Sequence, residues 1–143
     1  MRRTIKIKKL HPEAKLPNYA NPNDAGMDFY ANETITINPN DRKLISTGIS
    51  LAIPHGYVGL IWDKSGIASK HGIKTMAGVV DSSYRGEIKV LLHNLSNDNY
   101  VVEKGNKVAQ MLIQPVEQRQ IKEVETLEET ERGEGGFGST GIK

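Results

Sequence analysis

The stretch GVVDSSYRGEI, residues 78–88, has the pattern of a β-strand that runs into a tight turn. Asp81 follows two valines and precedes serine, arginine and glycine residues, so we expect it where the strand enters the turn. A carboxylate held there could act as a general base. It could equally be an Asx-turn residue that caps its own hairpin, and Tyr84 could serve only in hairpin packing.

The rest of the chain has the frequent turn residues and short segments of an all-β domain. Its 14 glycines and 6 prolines cut the sequence into short segments with alternating or β-branched residues. Strands are predicted at residues 3–9, 34–37, 44–53, 57–62, 76–80, 87–94, 100–102 and 107–116. The one predicted helix is short, at residues 65–70, with Ser65 as its cap and Gly72 at its end.

Composition excludes several classes of protein. A chain of 143 residues with 37% hydrophobic and 25% charged residues is typical of one globular domain. It has no cysteine, which removes disulfides, thiolate metal sites and cysteine nucleophiles. The net charge of +2 does not indicate a nucleic-acid partner, and no apolar run is long enough to span a membrane.

The two ends of the chain differ in charge and in composition. Residues 1–15 are basic and residues 117–134 are acidic, which we interpret as solvated surfaces. The basic start lacks the apolar run of a secretory signal, so a cytoplasmic location is expected. Residues 132–141 contain five glycines, one aromatic residue and two hydroxyls, typical of a mobile segment that orders on a ligand. We therefore predict a β domain at residues 1–131 and a flexible arm at residues 132–143.

Five stretches combine glycine with hydroxyl, carboxylate or basic side chains. They are DAGMDFYA (24–31), DKSGIASKHGI (63–73), GVVDSSYRGEI (78–88), GNKVAQMLIQP (105–115) and RGEGGFGSTG (132–141). Glycine lets backbone amides approach an anion, and hydroxyl and basic groups complete a donor set for polyphosphate. Taken singly, such stretches are also typical of ordinary capped turns and a disordered tail. The Walker pattern GxxxxGK[ST] is absent, which argues against a P-loop NTPase.

In this order and spacing, the five stretches resemble the five motifs of the trimeric deoxyuridine triphosphatases (dUTPases), from residue 24 to residue 141. The resemblance implies an all-β subunit of the β-clip type, a distorted jelly-roll barrel with one short helix and a mobile glycine-rich tail. It further implies a homotrimer with three active sites, each built from motifs of different subunits. The tail would close over a neighbour's site.

The implied reaction is the hydrolysis of dUTP to dUMP and pyrophosphate, with Mg²⁺ on the triphosphate and water attacking the α-phosphorus. By resemblance, Asp81 orients and deprotonates this water, and Asp28 holds the metal through water. The residues implied to contact base and sugar are Thr75, Ala77, Gly78, Val80, Tyr84 and Phe137. Those implied to contact phosphates are Lys64, Ser65, Gly66, Gln110, Arg132, Gly138, Ser139 and Thr140. Such an enzyme would keep uracil out of DNA and supply dUMP for thymidylate synthesis.

The sequence departs from the family pattern in places. Lys64 stands where an arginine is common, and lysine supplies charge without the planar fork of a guanidinium group. Asn106 replaces the acidic member of an acidic and basic pair, and Met27 occupies a place that is often aromatic.

Two other functions were weighed. A dCTP deaminase, or a bifunctional deaminase and diphosphatase, shares the fold but needs a glutamate at the position of Leu91. A noncatalytic nucleotide sensor is disfavoured by the intact Asp81 and the intact tail. Turnover of dUTP would exclude it, because a sensor binds dUTP without releasing pyrophosphate.

Overall fold

A computed structural model describes residues 3–143 of the chain. Met1 and Arg2, the first residues of the predicted 1–131 domain, lie outside the described residues. In chain order the elements are β1 (Lys6–Lys9), β2 (Met27–Tyr30), β3 (Ile35–Ile37), β4 (Arg42–Ser46), β5 (Ile49–Ala52), β6 (Tyr57–Trp62), α1 (Ser65–His71), β7 (Ile73–Met76), β8 (Val79–Val80), β9 (Lys89–Asn94), β10 (Tyr100–Val102) and β11 (Lys107–Pro115). The prediction of an all-β fold with one short helix is confirmed.

The strands form four antiparallel sheets. The largest has the order β2-β11-β6-β8, and a three-stranded sheet has the order β4-β9-β7. Two further pairs are β1 with β5 and β10 with β3. Within residues 3–143 none of these sheets closes on itself into a barrel.

The core consists of two apolar clusters that share the long strand β11. One cluster packs Ile37, Ile45 and Leu92 with Val108, and the other packs Phe29 with Met111. Since Val108 and Met111 are both almost completely buried, β11 ties the two clusters together. Burial of this kind is the main stabilising term of the fold and gives the loops a rigid base.

Two predicted strands are each split in the structure. The strand predicted at residues 44–53 is interrupted after Ser46, where Gly48 has a φ of 68°, so that β4 and β5 enter different sheets. The strand predicted at 76–80 is interrupted at Ala77 and Gly78, with φ values of 58° and 108°. An extended strand cannot continue through a residue with a positive φ. Glycine adopts a positive φ at little cost, so glycine positions are where such breaks occur most easily. The two predictions of unbroken strands are wrong.

Strand β2 was not predicted. The strand is only four residues long, and its charged residue Asp28 is buried together with Met27 and Phe29, a position that hydrophobic patterning does not predict for a carboxylate. The predicted helix forms, but Ser65 is its first residue and Lys64 is the N-cap, without a side-chain cap hydrogen bond. The predicted end is confirmed, because Gly72 is left-handed and its amide bonds the Ala68 carbonyl. No helix within residues 3–143 is both long and apolar enough to cross a membrane.

Candidate active site

Asp81 lies at the end of β8, where the chain turns sharply. The Tyr84 amide donates to the Asp81 carbonyl at 3.1 Å and closes the turn. The Asp81 side chain is exposed, and within residues 3–143 it makes no hydrogen bond or ion pair. The Asx-turn role is therefore not realised, and the carboxylate is available to a ligand or a water molecule.

A cleft of about 360 Å³ lies beside this turn. It brings together five of the predicted site residues, Ala77, Gly78, Val80, Asp81 and Tyr84. The opposite walls are largely apolar and come from β4, β6 and β9. A cleft of this size, apolar with one free carboxylate, suits a small organic ligand with a reacting group near its mouth.

The Tyr84 ring is fixed against the backbone of its own hairpin. Its hydroxyl donates to the Glu87 carbonyl at 2.8 Å. A Cβ placed on Gly86 would lie 2.5 Å from the Tyr84 hydroxyl oxygen, so the ring covers this glycine closely. Arg85 donates to the carbonyls of Ser82 and Tyr84, at 2.6 and 3.0 Å, and braces the turn. The hydroxyl end of the ring is thus fixed, and the ring forms one wall of the cleft.

Glu87 anchors this hairpin to the corner between β4 and β5, a role that sequence reasoning missed. Its carboxylate accepts hydrogen bonds from the Ser46 hydroxyl and from the Gly48 amide, the latter at 3.0 Å. Burial alone would raise the pKa of Glu87, but these hydrogen bonds outweigh it and hold the pKa below its ordinary value. The Thr47 hydroxyl adds a bond to the Ile88 carbonyl at 2.5 Å.

A second polar cluster surrounds Asp28, on the opposite edge strand of the four-stranded sheet. Asp28 is only 1% exposed, and the Lys64 ammonium donates to its Oδ1 at 2.6 Å. The Lys107 ammonium lies 3.1 Å from Oδ2, but this oxygen has no partner with hydrogen-bond geometry within residues 3–143. Burial alone would raise the pKa of Asp28. The two lysines outweigh this effect and hold the pKa below its ordinary value. Lys64, whose phosphate contact stays a prediction, is paired with this carboxylate.

Asp63 connects this cluster with β7. Its Oδ1 accepts from the Thr75 amide at 2.6 Å and from the Thr75 hydroxyl at 2.9 Å. Its backbone carbonyl accepts from the Gln110 side chain at 2.8 Å. Thr75, predicted to contact the base, therefore has both of its donors in use. Ser65 and Gly66 are exposed beside this network, and a Cβ on Gly66 would meet no atom within 4 Å, which leaves open space for a ligand.

The cleft and the Asp28 cluster are well separated in one chain. Asp28 pairs with Gln110 and Gln110 with Trp62, whereas Val80 pairs with Gly59, three residues further along β6. With ordinary strand spacing and rise, Asp28 and Val80 are about 17 Å apart. One chain therefore does not place Asp28 next to Asp81.

The tail stands apart from both places. Residues 116–143 contain no helix or strand. Arg132 donates to the Gly135 carbonyl at 2.8 Å, the Ser139 amide bonds the Gly136 carbonyl, and Phe137 is fully exposed. Within residues 3–143, the hydrogen bonds and ion pairs of residues 117–143 all stay inside this segment. The predicted tail residues Arg132, Phe137, Gly138, Ser139 and Thr140 are not brought to Asp81 of the same chain.

A family model for dUTPase matches residues 12–141. The chain belongs to the dUTPase family. The deoxyuridine 5'-triphosphate nucleotidohydrolase of Clostridium kluyveri is 50% identical over 137 residues, which cover 94% of this chain and 96% of the relative. The enzyme of the same name from Rickettsia bellii is 50% identical over 144 residues, which cover 96% and 95%.

Solved dUTPase structures have the same fold. The dUTPase of Staphylococcus bacteriophage 80alpha with dUpNHpp superposes with a TM-score of 0.92 at 30% identity, covering 99% of this chain and all of the other. A point mutant of the dUTPase from S. aureus phage phi11, which coordinates a structural Mg(II) ion, has a TM-score of 0.83 at 26% identity and covers 89% and 100%. The family expected from the five motifs is thus confirmed.

The structure also bears on the deaminase alternative within this dUTPase-like fold. Leu91 lies on β9 and lines the same cleft as Asp81. An aliphatic side chain cannot transfer protons, so the position at which a deaminase would need its glutamate is inert.

Proposed function

We propose that the chain is a dUTP diphosphatase that hydrolyses dUTP to dUMP and pyrophosphate by attack of water on the α-phosphorus. The observation that carries the proposal is the unpaired Asp81 carboxylate at the mouth of the Tyr84 cleft. Two carboxylates line the cleft within residues 3–143, those of Asp81 and Glu87. Because Glu87 already accepts two hydrogen bonds, Asp81 is the one that is free to accept a proton. The dUTPase relatives supply the substrate class.

In this mechanism the hairpin holds the nucleoside and Asp81 activates the water. The backbone of residues 75–80 reads the uracil edge, and the Tyr84 ring packs under the deoxyribose. Because its hydroxyl is bonded to the Glu87 carbonyl and lies close against Gly86, the ring resists displacement by a 2′-hydroxyl group. Asp81 accepts the proton of the attacking water and directs its oxygen toward phosphorus.

Ser65, Gly66 and Gln110 bind phosphate oxygens of the substrate in this proposal. Mg²⁺, when bound to the triphosphate, supplies charge neutralisation for the departing pyrophosphate. The buried Oδ2 of Asp28 lies 3.1 Å from the Lys107 ammonium but has no partner with hydrogen-bond geometry among residues 3–143, so we assign it as the acceptor for a metal-bound water. Residues 3–143 hold no group of three or more His, Asp or Glu that could cage a metal ion. This fits a metal that arrives with the phosphates, because Mg²⁺ is commonly held by one or two carboxylates plus substrate oxygens.

Each active site in this proposal combines residues of different subunits of a homotrimer. The separation of about 17 Å between Asp28 and Val80 supports this assembly, since both clusters must reach one triphosphate. The tail, predicted as a separate arm at residues 132–143, would cover a neighbour's site with Phe137 on the uracil. Arg132, Gly138, Ser139 and Thr140 would bind the outer phosphate. A cytoplasmic location and a role in keeping uracil out of DNA complete the proposal.

The test is pyrophosphate release with Mg²⁺ from dUTP, dCTP, UTP and dTTP in parallel, with products separated by chromatography. We expect strong turnover of dUTP alone, with dUMP as the nucleotide product. The Asp81→Asn variant should bind dUpNHpp normally while kcat falls by roughly 10² or more. Formation of a uracil nucleotide from dCTP would support the deaminase. Absence of turnover with all four would support the sensor.

A further inference from the structure

We propose that Asp63 is a positioning residue that holds the phosphate-binding loop, by which we mean Lys64 and the first helical residues Ser65 and Gly66, in place by fastening it to β7. The inference rests on the proposed function, because it takes this loop as the phosphate site. Asp63 itself does not touch substrate in this account. It acts through the residues that follow it.

The contacts of Asp63 reach two separate parts of the chain, β7 and β11. Through Oδ1 it takes both donors of Thr75 on β7, at 2.6 and 2.9 Å. Through Oδ2 it pairs with the Lys74 ammonium at 2.6 Å. Through its backbone carbonyl it accepts from Gln110 on β11 at 2.8 Å. No other residue that precedes the loop closely has such a set of contacts within residues 3–143.

The chemistry of these contacts explains why a carboxylate is needed. The Thr75 side chain is buried and Asp63 is half-buried, so each bond lies in a shielded environment. One oxygen with two short donors fixes the carboxylate plane, and with it the direction in which the chain leaves toward Lys64. Burial would raise the pKa of Asp63, but its three donors hold it below the ordinary value, so the group stays charged.

Residues 64–66 have few other anchors. Ser65 and Gly66 are the first two residues of α1, which has no side-chain cap and no fully buried residue, and Ile67 of this helix packs partly against the core. Lys64 is held to Asp28, whereas Ser65 and Gly66 are exposed, and the side-chain hydrogen bond found at them within residues 3–143 is a long one, from the Ser69 hydroxyl to the Gly66 carbonyl at 3.4 Å. Losing the Asp63 anchor should therefore let Ser65 and Gly66 drift, and displacement of about 1 Å at a reacting phosphate is enough to weaken binding and slow turnover.

The experiment compares two ligands by calorimetry, dUpNHpp with Mg²⁺ and dUMP. The first engages base and phosphate sites, and the second engages mainly the base and sugar site. In Asp63→Ala we expect dUpNHpp to bind about ten-fold or more weakly, with dUMP within about two-fold of wild type. Asp63→Asn keeps an oxygen for Thr75 and should recover most of the loss. Lys74→Ala removes only the exposed ion pair and is the matched control, expected within about two-fold.

Three outcomes would overturn the proposal: dUpNHpp binding unchanged in Asp63→Ala, equal losses for both ligands, or a loss in Lys74→Ala as large as in Asp63→Ala. If Asp63→Ala does not fold, Asp63→Ser decides, because its shorter side chain also releases the Thr75 donors while a polar group stays at the position. It should weaken dUpNHpp by several-fold and leave dUMP within about two-fold of wild type, and no change in either would count against Asp63. Because binding needs no turnover, wild-type hydrolysis of dUTP tests the proposed function separately.

Discussion

Gly86 is the residue on which the position of the Tyr84 ring depends most directly. The ring lies where a Cβ on Gly86 would stand, 2.5 Å from the hydroxyl oxygen and 2.6 Å from the ring carbon that bears it. In Gly86→Ala the ring must move and the hydrogen bond to the Glu87 carbonyl is lost. We expect the preference for dUTP over UTP to fall by about ten-fold or more, with kcat for dUTP less affected. Steady-state kinetics with both nucleotides measures this.

The matched control for Gly86→Ala is Ser83→Ala on the same turn. Ser83 is exposed, and its side chain makes no hydrogen bond within residues 3–143. Its replacement should leave the dUTP to UTP preference within about two-fold. If Gly86→Ala keeps the wild-type preference, Tyr84 is not the wall that excludes the 2′-hydroxyl.

At the scale of elements, Gly48 decides how β4 and β5 are divided between sheets. It has a φ of 68°, and a Cβ there would lie 2.9 Å from Ala14 Cβ and 3.0 Å from the Asn32 side-chain nitrogen. Gly48→Ala should lower the free energy of unfolding by about 2–4 kcal/mol, from the strained backbone and the close contacts together. Gly56→Ala is the control, because Gly56 has a φ of 83° but open space around its Cβ position. It should cost only about 1–2 kcal/mol in urea unfolding. Equal losses in the two variants would remove the packing part of this explanation.

Elements were predictable where the sequence carries a local pattern. Strands β6 and β10 were predicted with the bounds found, because each is a β-branched or aliphatic run flanked by turn residues. Strand β2 was missed since it is short and contains a buried carboxylate, and the break at Gly48 was missed since nothing local distinguishes it from a strand glycine.

The candidate site was predictable to the same extent. Asp81 and Tyr84 stand in one continuous stretch, and the structure places both at one cleft. Asp63 and Glu87 were not singled out, because their roles depend on partners 12 and 39 to 41 residues away in the chain. No spacing rule in the sequence reports contacts of that kind.

The whole molecule should lose stability in acid. The pKa values of Asp28, Asp63 and Glu87 are all below their ordinary values, since hydrogen bonds and lysine partners outweigh the effect of burial. The unfolded chain therefore binds more protons than the folded one at low pH, and this stabilisation is complete above the ordinary values of 3.8 and 4.5. We expect the free energy of unfolding to be flat above about pH 5 and to fall as pH drops below about 4.

Urea unfolding at a series of pH values measures this acid dependence. Glu87→Gln removes one of the three groups, so its stability should fall less steeply with acid than that of wild type. A slope in Glu87→Gln equal to that of wild type would show that Glu87 contributes nothing to it.

The assembly predicted for the whole molecule can be tested by mixing two defective chains. One carries Asp81→Asn, and the other ends at Glu131 and so lacks the tail. Each alone should form trimers and be nearly inactive, because one lacks the base and the other the cover. If the tail serves a neighbour's site, trimers that contain both chains have sites with an intact Asp81 from one chain and a tail from another. Random mixing of equal amounts by co-expression should then restore about a quarter of wild-type dUTP turnover.

The same mixture distinguishes the alternative in which each tail closes over its own chain's Asp81. In that case no chain of the mixture has both parts, and activity should stay at the level of the separate variants. The hydrogen bonds and ion pairs of residues 117–143 stay within that segment, so we expect the tail to serve a neighbour's site and the mixture to recover activity. A tail that served its own site would be expected to contact the β domain of its own chain. Recovery of activity near zero in the mixture would refute the sharing of sites even if the trimer itself forms.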